Sequence, residues 1–213
     1  MISYQSIVAF GDSWIWGSDI NDENDFMRES LCMVGQVGMK LGLPVLNRGI
    51  AGSSQRRAII EFSQWFRTCQ DPGQHLVLIG MTEPGRETFA NNGQQFWWDR
   101  YVETAHELDG VWLDLKKLWL AYCDDAESRE LTHWMNTQWF VNICQQNHIP
   151  FMIMNIFPNQ STFDMPCFMS TNLMTLLPES FRNPDTWHPT IQGCDYLSDA
   201  IIQELQKRDL LPN

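Results

Sequence analysis

The 213-residue chain carries 14 lysines and arginines against 26 aspartates and glutamates, a formal net charge of −12. A surface this acidic repels phosphate backbones and anionic headgroups, so neither nucleic acid nor a membrane surface is expected as a partner. No Pro/Gly/Ser-rich or charged linker interrupts residues 1–213, and the length suits one well-buried domain.

The six cysteines (Cys32, Cys69, Cys123, Cys144, Cys167, Cys194) contain no C-x-x-C pair, which argues for reduced thiols rather than a zinc site or a disulfide scaffold. His75, His106, His133 and His148 show no ligand spacing, so no metal and no cofactor is expected. The opening MISYQSIVAFGDSW lacks a basic leader, and no apolar stretch approaches membrane-spanning length. The expectation is a soluble protein made in the cytoplasm, compatible with later release or incorporation into a larger particle.

The first predicted element is a buried strand, Ile7-Val8-Ala9-Phe10, ending in Gly11-Asp12-Ser13. Helical spacing follows from Phe26 to Leu41, with Phe26, Leu31, Val34, Val37 and Leu41 near one face. A second strand, Leu43 to Leu46, ends in Asn47-Arg48-Gly49, after which Ser53-Ser54 supply N-caps for a helix through Ile59, Ile60 and Phe66. Leu76 to Ile79 form the third strand, ending in Gly80-Met81-Thr82, and a polar loop around Ala90-Asn91-Asn92-Gly93 comes next. Residues 109–146 carry neither Gly nor Pro after Gly110 and predict one long helix, or two with a break near Asp124-Asp125. The fourth strand runs from Ile149 to Met154. The closing helix, about Thr190 to Lys207, is opened by Pro189 and has Ile191, Tyr196, Leu197, Ile201, Ile202 and Leu205 as its predicted buried face. Strands alternating with helices imply parallel β-α-β units with right-handed crossovers, hence a three-layer α/β/α sandwich.

Open α/β sheets bind ligands at the carboxyl ends of their strands. Three such ends carry Gly11-Asp12-Ser13, the Gly-rich stretch Asn47 to Gly52, and Gly80-Met81-Thr82-Glu83-Pro84. Just before the last helix stands Asn183-Pro184-Asp185-Thr186-Trp187-His188-Pro189, where an Asp three residues ahead of a His on a proline-bracketed turn can present both side chains to one side. A serine becomes a nucleophile beside a base whose tautomer a third group fixes, and Ser13, His188 and Asp185 are the residues for those roles.

With these blocks in this order the sequence resembles the SGNH, or GDSL-type, hydrolases. Gly11-Asp12-Ser13 matches the first block, with Trp14 where the family name has Leu; Asn47 to Gly52 matches the second, and Asp185-Thr186-Trp187-His188 the last. The resemblance implies a flavodoxin-like parallel sheet of about five strands, the fifth of which no stretch identifies. It implies Ser13 as nucleophile, Asp185 and His188 as the rest of the triad, and the N–H groups of Ser13 and Gly52 as oxyanion donors. The third block departs from the family: its amide-bearing Asn is Thr82 here, whose hydroxyl donates one hydrogen bond over a shorter reach.

Ten tryptophans are present, and Trp14 and Trp187 flank the expected nucleophile and base. Exposed aromatic faces suit sugars or apolar acyl groups, so Trp14, Trp187, Asn47 and Arg86 are the candidate substrate contacts. Arg86 either binds a carboxylate or pairs with Glu83. The expected activity is hydrolysis of a carboxylic ester on a small molecule or a carbohydrate, O-acetyl groups being the class to test first. Two alternatives stay open: a catalytically relaxed binding or structural module, as a homo-oligomer or part of a larger assembly, and acyl transfer to an acceptor other than water.

Overall fold

In the computed structural model the chain is described over residues 4–21, 24–91, 94–99, 110–122, 125–158 and 167–211. In chain order the elements are β1 (Ser6–Gly11), α1 (Ser13–Trp16), α2 (Asp25–Leu31), α3 (Met33–Leu41), β2 (Val45–Gly49), α4 (Gln55–Thr68), β3 (His75–Met81), β4 (Arg86–Asn91), β5 (Gln94–Asp99), α5 (Gly110–Tyr122), α6 (Ala126–Gln146), β6 (Phe151–Asn155), α7 (Leu173–Leu176) and α8 (Ile191–Lys207). The strands β2, β1, β3 and β6 form a parallel sheet in that order.

Side-chain alternation builds both faces of this sheet. Ile7, Ala9, Leu76, Leu78, Met152 and Met154 bury against Val34 and Val37 of α3 and Leu197, Ile201 and Leu205 of α8. Val8, Phe10, Val77, Ile79 and Ile153 bury against Phe62 and Trp65 of α4 and Phe140 of α6. The architecture is the expected α/β/α sandwich with four strands rather than about five. Beyond β6, where a fifth strand would lie, Phe168 makes a single parallel bridge to Ile153. Ile153 N–H donates to the Cys167 carbonyl at 2.8 Å and Met169 N–H to the Ile153 carbonyl at 2.8 Å.

Several boundaries differ from those read in the sequence. The region expected as one helix from Phe26 to Leu41 is two, because Cys32 is extended (ψ 164) and at once caps the end of α2 and the start of α3. Gly35 permits the tight junction, since a Cβ there would meet the Glu29 carbonyl oxygen at 1.9 Å. Of the stretch expected as a polar loop, Ala90 and Asn91 end β4, which pairs antiparallel with β5 so that Asn91 faces Gln94, and Asn92 and Gly93 lie outside the described residues. Of the two alternatives for residues 109–146 the chain shows two helices, α5 ending at Tyr122 and α6 starting at Ala126, where Asp125 caps α6 by accepting from Ser128 N–H; Asp124 lies outside the described residues. On α8 the buried face runs through Cys194, Leu197, Ser198, Ile201, Glu204 and Leu205, while Ile191 and Tyr196 are exposed. No helix among the described residues is long and apolar enough to cross a membrane.

Candidate active site

The carboxyl edge of the sheet begins at the end of β1. Asp12 caps α1, its carboxylate accepting from Trp14 N–H at 3.0 Å, and Ser13 becomes the first helical residue. Glycines at the ends of three strands let this short helix sit directly on the sheet edge. A Cβ at Gly11 or Gly80 would lie 2.5 or 2.6 Å from Ile15 Cγ1, and one at Gly49 would lie 2.6 Å from Trp16 N. Asn47 fastens the same junction: its amide donates to the Ile15 carbonyl at 2.7 Å and its Oδ1 accepts from Gly49 N–H at 2.9 Å. Asn47 was a candidate substrate contact; its amide is instead spent on backbone.

The second strand end closes in beside Ser13. Ile50 N–H and the Ser53 hydroxyl both donate to the Gly11 carbonyl, at 3.0 and 3.1 Å. Between them Gly52 takes the left-handed conformation (φ 71) that favours glycine. Among the described residues the N–H groups of Ser13 and Gly52 have no hydrogen-bond partner.

From the far end of the chain, residues 183–188 fold back as a loop closed by Asn183 N–H donating to the His188 carbonyl at 2.8 Å. His188 Nε2 lies 2.9 Å from Ser13 Oγ, within reach of its hydroxyl proton. The other ring nitrogen, Nδ1, lies 3.0 Å from Asp19 Oδ2. That oxygen also accepts from Asn183 Nδ2 at 3.3 Å and from the Thr186 hydroxyl. Burial alone would raise the Asp19 carboxyl, but the hydrogen bonds from Thr186, His188 and Asn183 and the charge on His188 hold it below the usual aspartate value.

The expected partner, Asp185, is elsewhere. Its side chain is exposed and does not bond His188, and its N–H is held by Asn183 Oδ1 at 3.0 Å. Between the two, Trp187 adopts a left-handed φ of 64, so the three-residue spacing does not bring both side chains to one side. Asp19 carried no motif. Its signal was positional: it follows Gly17, whose φ of 89 turns the chain back past the end of α1.

The remaining candidates divide. The Thr82 hydroxyl donates to the fully buried Asp12 carboxylate at 2.7 Å, so it supports the residue beside Ser13. Arg86 Nη1 reaches the same Asp12 oxygen at 3.1 Å and Thr82 Oγ1 at 3.1 Å. Trp14 is 2% exposed and packs edge-on to Phe157, a core residue rather than a substrate platform. Trp187 is 53% exposed next to His188, with Arg182 Cζ 5.8 Å from its ring centroid.

Searches of family models and of curated protein sequences find no match. Solved structures do match. A protein from Desulfitobacterium hafniense DCB-2 ascribed to the G-D-S-L lipolytic family aligns at 14% identity over 94% of this chain and 99% of that one, with a TM-score of 0.58. The esterase EstA from Pseudoalteromonas sp. aligns at 13% identity over 97% and 100%, with a TM-score of 0.57. The chain has the fold of the SGNH hydrolases. A catalytic mutant of Axe2, an acetylxylan esterase from Geobacillus stearothermophilus, shares this SGNH fold at 14% identity over 96% and 95%, with a TM-score of 0.51. On the SGNH framework Ser13 occupies the end of the central β1, and the loop before the last helix delivers His188 to it.

Proposed function

We propose that this protein hydrolyses carboxylic esters with Ser13 as nucleophile, His188 as general base and Asp19 as the carboxylate that orients the base. One observation carries the reading: an unbroken line of contacts from Ser13 Oγ to His188 Nε2 at 2.9 Å and from His188 Nδ1 to Asp19 Oδ2 at 3.0 Å. A base held in one tautomer by an anion and in reach of a hydroxyl is what activates serine.

In the first half-reaction His188 Nε2 takes the proton as Ser13 Oγ bonds to the ester carbonyl carbon, and Asp19 balances the imidazolium. The oxyanion faces the N–H groups of Ser13 and Gly52. Collapse breaks the bond to the alcohol, which leaves with the proton from His188. Water then repeats the sequence on the acyl-serine and releases the acid. With Thr82 held by Asp12, no side-chain oxyanion donor stands among the described residues, and loss of one typically lowers turnover about a hundredfold to a thousandfold. The esterases among the structural neighbours support ester chemistry, and the acetylxylan esterase makes an O-acetylated carbohydrate the first substrate to try.

Fluorophosphonate labelling and p-nitrophenyl acetate hydrolysis by wild type, Ser13→Ala and His188→Ala test the proposal. Wild type should label and turn over, and both variants should do neither. A second reading, a binding module with relaxed catalysis, is favoured by the commitment of Thr82 to Asp12. Folded wild-type protein that neither labels nor turns over would select it.

A further inference from the structure

Beside Asp12 the sheet edge holds a cavity of about 260 Å³ that the ester chemistry does not use. Its walls are Gln55 and Arg56 at the start of α4, Thr132 and Asn136 on α6, and Pro84 and Arg86 on the segment after β3. His188 arrives from the α8 side of the sheet, whereas this cavity is walled by α4 and α6, which pack on the other face. Arg86 couples them directly, because its guanidinium is bonded to the residue preceding the nucleophile.

The chemistry of the walls is specific. In a chain with 26 acidic residues against 14 basic ones, the described residues that line this cavity include two arginines and no carboxylate. Asp12 is buried behind Arg86 and balances that one charge. Arg56 is exposed, and among the described residues no carboxylate pairs with it, which leaves a surplus positive charge at the mouth. Gln55 is held rigid, its Nε2 donating to the Thr82 carbonyl at 3.0 Å and its Oε1 accepting from Asn136 Nδ2 at 3.2 Å. Gln55 Nε2 also contacts His133 Nδ1, so its amide is committed within the wall, and the groups that suit a carboxylate are the arginines, which bind one with two parallel hydrogen bonds. The volume matches one small group rather than a whole drug-sized ligand.

We infer that the substrate is an anionic ester, whose carboxylate docks against Arg56 and Arg86 in this cavity while its ester carbonyl meets Ser13. The inference rests on the esterase reading for its reaction and on the cavity alone for its binding. Two matched pairs of esters test it. Mono-p-nitrophenyl glutarate against p-nitrophenyl valerate places the charge on the acyl side, and 4-acetoxybenzoate against phenyl acetate places it on the alcohol side. For wild type at least one anionic member should show a KM about tenfold below its neutral partner, as expected for a charge-assisted contact at a half-open site. Arg56→Gln should erase that advantage and leave kcat and KM for the neutral esters unchanged. Equal KM values within both pairs, or an anionic preference that survives Arg56→Gln, would overturn the inference and leave the esterase standing. Calorimetry on Ser13→Ala with the same esters separates the two ideas: binding of the anionic member, weakened about tenfold by adding Arg56→Gln, upholds the cavity even if wild type hydrolyses nothing. No anion-dependent binding there removes it.

Discussion

At the scale of single residues the decisive contrast is between two aspartates. Asp19 accepts three hydrogen bonds from the loop 183–188, whereas Asp185, in the position the family pattern favours, points to solvent. Asp19→Asn keeps the shape but replaces the anion that steadies His188, so kcat should fall on the order of a thousandfold to ten-thousandfold. Asp185→Asn should leave kcat within about twofold, because it removes only a solvated charge. Comparing p-nitrophenyl acetate kinetics of the two variants checks this; equal losses would return the role to Asp185. Thr82 teaches a related lesson. Its hydroxyl looked like a substitute for a missing oxyanion amide, but the nearest acceptor with the strongest demand is the buried Asp12 carboxylate, and it takes the proton donor first.

At the scale of elements the site depends on how low α1 sits on the sheet. A Cβ at Gly49 would meet backbone, Trp16 N at 2.6 Å and the Ile15 carbonyl carbon at 2.9 Å, which no rotamer change relieves. At Gly80 the clash is with the Ile15 side chain, which can rotate. Gly49→Ala should therefore lower stability by about 1–3 kcal/mol and reduce serine labelling as α1 lifts, while Gly80→Ala costs less. Urea unfolding of both, with labelling in parallel, measures the difference. The same scale shows what the sequence made legible. Apolar runs ending in glycine or a polar residue marked β1, β3 and β6, and Ser54, Asp125 and Thr190 stand at helix starts, because burial and capping are local. Ser13 and His188 were legible because each stands where a strand or helix boundary presents it. Asp19 was not, since its partner is 169 residues away and only the fold brings them together. The β4–β5 pair was missed although Asn92-Gly93 between Thr88-Phe89 and Phe96-Trp97 is a hairpin signal. The rudimentary strand at Phe168 has one bridge and hence no run to detect.

Across the whole molecule the charges that tie elements together set the pH range of stability. Burial would raise Glu204, but hydrogen bonds and charge from Arg208, helped by Lys207 and Ser170 N–H, hold it below the usual glutamate value. Asp19 is lowered too. A carboxyl depressed in the folded state adds stability that is complete above its ordinary value, near 4, and is lost as pH falls through the lower folded value. Lys40 bridges α3 to α8. Desolvation would lower it, but Asp199 and Asp195 raise it, so its contribution is complete below its usual value and lost only in strong alkali. The melting temperature should thus be flat between about pH 6 and 9 and drop below about pH 4. A scan in which Tm already falls between pH 6 and 5 would contradict that assignment of the carboxylates.

The proposed nucleophile and its remote anion belong to one short stretch, Ser13 to Asp19, and the proposed base is supplied 175 residues from the serine. Two of the three parts are thus built by neighbouring residues, on the first strand, its helix and the turn after it. The third comes from the last eighth of the chain, on the loop before α8, which packs on the sheet through Leu197, Ile201 and Leu205. On the esterase reading, chemical competence is in this way a property of closure, because the serine gains its base only where the two ends of the chain meet.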